Sequence, residues 1–192
     1  MAAIIAASCT LMIRNDMVSS PVSRLIVFAI IGLIYHKKII DSAKNLKTDF
    51  KKNIKPILII TILLIGLEFV ISSILENCFH LMASNELTNR NILKENLLVL
   101  GLSTTLLTPL AEECIFRLPY HSANGKFAYI IYSTMFALVH VTFKTPADLL
   151  FMPAYFLLSF GIGYSYYKTN NILLSTIVHI INNALCIVLI LF

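Results

Sequence analysis

Six ionisable side chains lie inside stretches that otherwise read as membrane: Glu68, Glu112, Glu113, Arg117, His140 and His179. All but Glu68 fall into three clusters in the last half of the chain: Glu112-Glu113-x-x-x-Arg117, Phe136-x-x-x-His140 and His179-x-x-x-Asn183. Charge in hydrocarbon is expensive, so such residues face a bundle interior or a wet cavity and act there. Carboxylates and imidazoles together are the groups needed to activate water. The combination predicts an enzyme rather than a passive membrane anchor.

Spacing refines this. Glu113 and Arg117 stand at i and i+4, the favourable order for a helical ion pair. Glu112 is turned about 100° from Glu113 on a helix. One carboxylate can therefore be neutralised by Arg117 while the other faces a pocket. Phe136 sits one turn before His140 and is placed to buttress its ring. His179 and Asn183 share a face, and Asn182 lies near it, so geometry leaves either amide as the partner of His179. Taken singly, an intramembrane His is more often a packing or hydrogen-bonding residue, Glu113–Arg117 a structural bridge and Phe136 core. Glu68 pairs with a neighbouring helix or lines an entrance. Three clusters on three helices at comparable depth shift the reading to one shared site.

The elements that must position these groups are membrane helices, each needing about 20 mostly apolar residues. Five stretches approach that: Pro56–Leu75, Leu97–Phe116, Phe127–Phe143, Leu149–Tyr167 and Ile172–Phe192. Met17–Tyr35 and Met1–Ile13 add one or two less certain spans. Turns are expected at Ser122-Ala123-Asn124-Gly125, Thr145-Pro146 and Asn170-Asn171. At 1.5 Å per residue, Glu112 lies roughly 12 Å, His179 roughly 13 Å and His140 roughly 18–20 Å from helix ends on one side. Tilt can bring them to one level, in a pocket open on that side.

Composition agrees. The chain is 58% hydrophobic and 13% charged, against about 45–50% and about 25% for a soluble domain. The fold class expected is an all-α multi-pass transmembrane bundle, one membrane domain over residues 1–192. Residues 1–96 hold N-terminal helices and a Lys-rich loop, and residues 97–192 a four-helix catalytic core. Seven of the fifteen Lys and Arg lie between Tyr35 and Lys55 with a single aromatic, Phe50, among them, which fits a cytoplasmic loop near anionic lipid and speaks against nucleic acid as partner. The apolar N-terminus lacks a basic lead-in and makes a poor signal peptide. Cys9, Cys78, Cys114 and Cys186 show no paired spacing, so buried thiols packing as small hydrophobes are expected. Abundant Lys, Ile and Asn hint at an AT-rich bacterial genome.

The motifs resemble those of the CPBP family, also called the ABI family, which contains type II CAAX prenyl endopeptidases and bacteriocin-processing or self-immunity proteins. Its patterns Glu-Glu-x-x-x-Arg, Phe-x-x-x-His and His-x-x-x-Asn appear here as Glu112-Glu113-Cys114-Ile115-Phe116-Arg117, Phe136-Ala137-Leu138-Val139-His140 and His179-Ile180-Ile181-Asn182-Asn183. The resemblance covers roughly Leu97 to Phe192. It implies an intramembrane glutamate-dependent protease with its cavity open to the cytoplasm of a bacterial plasma membrane. It further implies that Glu112 and His140 activate the attacking water, that His179 and Asn183 hold the oxyanion, and that Glu113, Arg117 and Phe136 support them. Where many members carry Gly after the motif Arg, this chain has Leu118-Pro119, which leaves the local helix ending open.

No cofactor is expected. Zinc held by Glu112, His140 and His179 is the alternative, although no H-E-x-x-H is present. The expected partners are a peptide or protein substrate and the bilayer, with peptide or bacteriocin maturation or self-immunity as the setting. No feature specifies an oligomeric state. A non-catalytic immunity or scaffold membrane protein is the rival from another class, and a small transporter is a third, less attractive without internal repeats.

Overall fold

Helical sequence dominates, and a computed structural model of the chain describes residues 21–95, 101–119 and 125–191. In chain order come α1 (Pro21–Phe79), α2 (Ser84–Glu95), a π-helical turn (Ser103–Leu107), α3 (Thr108–Arg117), α4 (Lys126–His140), a 3-10 turn (Pro146–Phe151), α5 (Met152–Thr169) and α6 (Ile172–Leu191). The described residues contain no strand. The expected N-terminal span Met1–Ile13 and most of the turn at Ser122–Gly125 lie outside the described residues.

α1, α5 and α6 carry the segments long and apolar enough to cross a bilayer: Ala29–Phe79, Pro146–Thr169 and Ile172–Leu189. Leu58, Ile59, Ile62, Leu63, Phe69 and Val70 on α1 and Ile181, Leu185 and Val188 on α6 are exposed. In water that surface would aggregate, whereas against acyl chains it is in its proper solvent. The protein is thus an all-α membrane bundle.

The Lys-rich segment is a correction to the expected loop. It is helical throughout, because α1 runs from Pro21 to Phe79 with one departure from helical backbone, at Tyr35 (φ −111°, ψ 15°), and it passes through Pro56. The segment from His36 to Lys55 contains no Gly or Pro to stop a helix. It is also pinned from outside. Asn171 Nδ2 donates to the Ser42 carbonyl at 2.9 Å and to Asp49 Oδ2 at 2.7 Å, while Ile172 N donates to Ser42 Oγ at 3.2 Å. Asn171 Oδ1 in turn accepts from Leu174 N at 3.2 Å, capping the start of α6. Lysine density marks where charge must sit in water or among headgroups, and it carries no instruction to end a helix.

Among the described residues, one other expected span is shorter than a membrane. α4 has 15 residues, about 22 Å of rise, against about 30 Å of hydrocarbon. It ends because Asp148 gathers the next turn. Asp148 accepts from Thr142 Oγ1 (2.9 Å), Lys144 N (2.9 Å), Thr145 N (3.2 Å) and, across the bundle, Ser84 N at the start of α2 (2.9 Å). Phe143 takes a left-handed conformation at φ 54° to close that turn. The segment expected from Leu97 to Phe116 is interrupted by the π-helical turn and restarts with Pro109 in the first turn of α3. α3 ends at Arg117, two residues before Pro119, as a proline's clash with the preceding turn requires. The thiols divide as well: Cys114 is buried, and Cys78 and Cys186 are exposed rather than packed in the core.

Small residues let α5 approach its neighbours. A Cβ on Gly161 would stand 3.2 Å from Leu64 Cβ of α1, and Thr61 Oγ1 donates to the Gly161 carbonyl at 3.1 Å. Glycine at such seams permits close backbone approach in membranes. Gly161→Leu is expected to destabilise the bundle by about 1–3 kcal/mol through overpacking. Thermal unfolding in detergent checks this, and an unchanged midpoint would contradict so close a seam.

Candidate active site

α3 supplies two adjacent carboxylates, and its helical pitch sends them in different directions. Glu113 is fully buried and bound by Arg117, with Nε 3.1 Å from Oε2 and Nη2 3.3 Å from Oε1. Arg117 is itself fully buried. Its Nη2 also donates to the carbonyl (3.3 Å) and hydroxyl (3.1 Å) of Ser159 on α5, and Nη1 reaches the Tyr132 carbonyl at 3.5 Å. The guanidinium lies 4.7 Å from the centroid of the Tyr132 ring. Gly163 makes room for it, since a Cβ there would sit 3.3 Å from Arg117 Cζ. A charge kept in a dry bundle needs this completeness of pairing.

Glu112 faces the other way, toward two imidazoles. Its Oε1 is 3.8 Å from His140 Nε2 and its Oε2 is 3.6 Å from His179 Nε2. His140 is the last residue of α4, and His179 lies two turns into α6. Both rings are anchored by the opposite nitrogen. His140 Nδ1 stands 2.8 Å from the Phe136 carbonyl, and His179 Nδ1 stands 3.1 Å from Glu113 Oε1. A carbonyl and a carboxylate only accept, so each Nδ1 carries a proton and donates. In the neutral ring each Nε2 then presents its lone pair toward Glu112.

Phe136 stacks on His140 with ring centroids 4.0 Å apart and planes 16° from parallel, and meets His179 edge-on at 5.9 Å. Tyr155 of α5 borders the other side of His140 at 5.6 Å. Asn183 is half-buried one turn beyond His179 and accepts from Asn182 Nδ2 at 3.4 Å. Asn182 is the more buried of the two amides. The structure therefore gathers Glu112, Glu113, Arg117, Phe136, His140 and His179 into one cluster, with Asn183 on the adjoining turn. Glu68 accepts from Ser72 Oγ at 3.1 Å on its own helix and, among the described residues, is not one of the groups gathered at Glu112.

Sequence reasoning missed three members. Ser175 donates to Glu113 Oε2 from α6, Ser159 receives Arg117, and Tyr132 covers the guanidinium. Ser175 had a usable signal, being one turn before His179 on the same face. Ser159 had none beyond being a hydroxyl in an apolar run. As for metal, among the described residues no group of three His, Cys, Asp or Glu side chains is disposed to hold an ion. The arrangement can hold a polar molecule between a carboxylate and two ring nitrogens in a low-dielectric bundle.

Comparison with known proteins matches residues 94–185 to the family described as type II CAAX prenyl endopeptidase Rce1-like. All three motif clusters lie within those residues. A stretch of 76 residues is 40% identical to the UPF0177 protein YxdF of Lactococcus lactis subsp. lactis (strain IL1403), covering 38% of this chain and 40% of that protein. The chain thus covers less than half of that relative's length. No solved structure matches.

Proposed function

We propose, from the match of residues 94–185 to the type II CAAX prenyl endopeptidase Rce1-like family, that the protein hydrolyses a peptide bond of a membrane-associated peptide or protein by glutamate-dependent catalysis. The observation that carries the proposal is the pair of imidazole Nε2 atoms turned toward the Glu112 carboxylate at 3.8 and 3.6 Å.

The Glu112–His140 gap suits one water at ordinary hydrogen-bond lengths of about 2.8 Å. Glu112 Oε1 and the neutral His140 Nε2 are both acceptors, so such a water gives one proton toward each. Its lone pair then points to the substrate. As oxygen attacks the peptide carbonyl, Glu112 takes a proton as general base. The carbonyl oxygen gains negative charge, and in this reading the Asn183 amide and a doubly protonated His179 are its donors. The C–N bond breaks as the leaving amine recovers the proton held by Glu112. At that moment Glu112 is neutral and Arg117 is paired with Glu113, so the oxyanion is the charge that a second proton on His179, taken up from solvent, balances.

The relative's bacterial origin and the lysines of α1 favour a bacterial plasma membrane with the Ser42–Asp49 end of the bundle in the cytoplasm. Glu112 lies about 9 Å in from that end along α3, and His179 about 10 Å along α6. Access from the cytoplasm follows in this reading. Maturation of a peptide or bacteriocin, or self-immunity, is the proposed setting.

The test is cleavage of membrane-inserted peptides by the chain reconstituted in lipid vesicles, read by mass spectrometry. A metal-free mechanism predicts unchanged rates in 1,10-phenanthroline. Loss of activity on chelation, restored by added zinc, would overturn that part of the proposal. Absence of any cleavage across a broad peptide set, with folded protein, would overturn the whole.

A further inference from the structure

Resting on the hydrolytic reading above, we infer that Ser175 is a positioning residue that fixes His179 through Glu113. A serine or threonine inside a helix usually bonds back to the carbonyl one turn earlier. Thr176 does so, with Oγ1 2.9 Å from the Ile172 carbonyl. Ser175, fully buried beside it, instead sends its hydroxyl across the bundle to Glu113 Oε2 on α3. Its other acceptor within reach, the Ile162 carbonyl, is at 3.4 Å. A hydroxyl has one proton to give, and the charged acceptor binds it more strongly.

The result is a carboxylate with an ordered division of donors. Oε2 receives Ser175 Oγ and Arg117 Nε, and Oε1 receives Arg117 Nη2 and His179 Nδ1. The terminal torsion of a glutamate is soft and nearly two-fold. Arg117 bridges both oxygens and holds the group in place, and it discriminates weakly between small rotations of the carboxylate plane. Ser175 supplies the asymmetric donor that sets the plane, and the plane sets where Oε1 meets His179 Nδ1. That contact fixes the tautomer and the aim of Nε2 at Glu112, 3.6 Å away. Ser175 and His179 lie on one face of one helix, so the hydroxyl and the ring it aims are rigidly related. Ser175 touches neither Glu112 nor the reacting atoms in this scheme.

The experiment compares the full chain with Ser175→Ala and Ser175→Thr in lipid nanodiscs, by peptide hydrolysis and by 15N NMR of labelled histidines. Ser175→Ala is expected to lower kcat about 10- to 100-fold with KM unchanged, the scale of a misplaced catalytic group. The Nδ1–H signal of His179 is expected to broaden or average between tautomers while that of His140 stays put. Ser175→Thr, which keeps the hydroxyl, is expected to restore both. If alanine prevents accumulation in the membrane, Ser175→Cys, similar in size and a weak donor, takes its place, with an effect in the same direction.

A wild-type kcat together with an unaltered His179 spectrum in the variant would overturn the inference. An equal loss in Ser175→Thr at normal abundance would also overturn it, since the hydroxyl would then not be the cause. If no form hydrolyses any peptide but the His179 spectrum still depends on Ser175, the endopeptidase reading fails and the positioning link stands.

Discussion

Glu112→Gln is expected to reduce peptide hydrolysis by about 10²- to 10⁴-fold, the usual contribution of a general base, while leaving folded protein at normal abundance. The amide keeps the size of the side chain and one acceptor oxygen. It cannot take a proton from water. Glu112 is also the less constrained carboxylate: its neighbours are two imidazole nitrogens beyond direct hydrogen-bond length, 3.8 and 3.6 Å away, so neutralising it strips no tight ion pair. A scaffold or immunity protein without catalysis would keep its biological effect in this variant. Loss of effect together with loss of cleavage, at equal membrane abundance, supports the enzyme. Undiminished cleavage by Glu112→Gln would remove Glu112 from the chemistry.

Arg117→Met is expected to do something different, emptying the membrane of folded protein. Glu113 would be left charged, fully buried and without its guanidinium. Breaking a buried pair from one side costs about 3–5 kcal/mol, a large share of the roughly 5–15 kcal/mol that holds a typical domain together. Removing both charges by Glu113→Leu with Arg117→Met should recover much of that stability, because two desolvated ions are replaced by apolar groups. Activity should not return, since His179 Nδ1 loses its acceptor. Thermal unfolding in detergent and membrane abundance measure the first effect, and peptide cleavage the second. A double variant with full activity would show that Glu113 matters for folding alone.

These two variants separate roles that adjacent residues of one helix take because of pitch. With about 100° between consecutive side chains, a Glu-Glu pair cannot point both acids at one target. Arg117 on the next turn decides which of them is bound. That division was readable from the Glu112-Glu113-x-x-x-Arg117 spacing, a local property of a helix. So was the membrane class, because hydropathy and the cost of unsatisfied backbone in lipid leave little choice but helices. The grouping of charges also stood out against apolar surroundings.

Other features depended on partners distant in the chain. His179 is held by Glu113, 66 residues away, and Glu113 by Ser175, 62 residues away. Nothing in the spacing within α6 names an acid on α3. Asp148 ends α4 early by collecting three donors from the turn that follows and a fourth from α2, so an apolar run that looked long enough to span stops at His140. The lysines of α1 read as a loop because charge says where a segment meets water and is silent on backbone conformation. Ser42 and Asn171 keep that stretch helical from the far side of the fold.

The sequence by itself determined the solvent, the helical class and the identities of the groups able to activate water, since each follows from composition or from contacts within a turn or two of helix. Tertiary structure alone decided that two imidazoles from different helices turn their Nε2 atoms to one carboxylate. It also decided which nitrogen of the His179 ring meets Glu113. Those facts depend on how closely helices approach at Gly161 and Gly163, and packing of that kind is a property of pairs of surfaces that no single helix encodes.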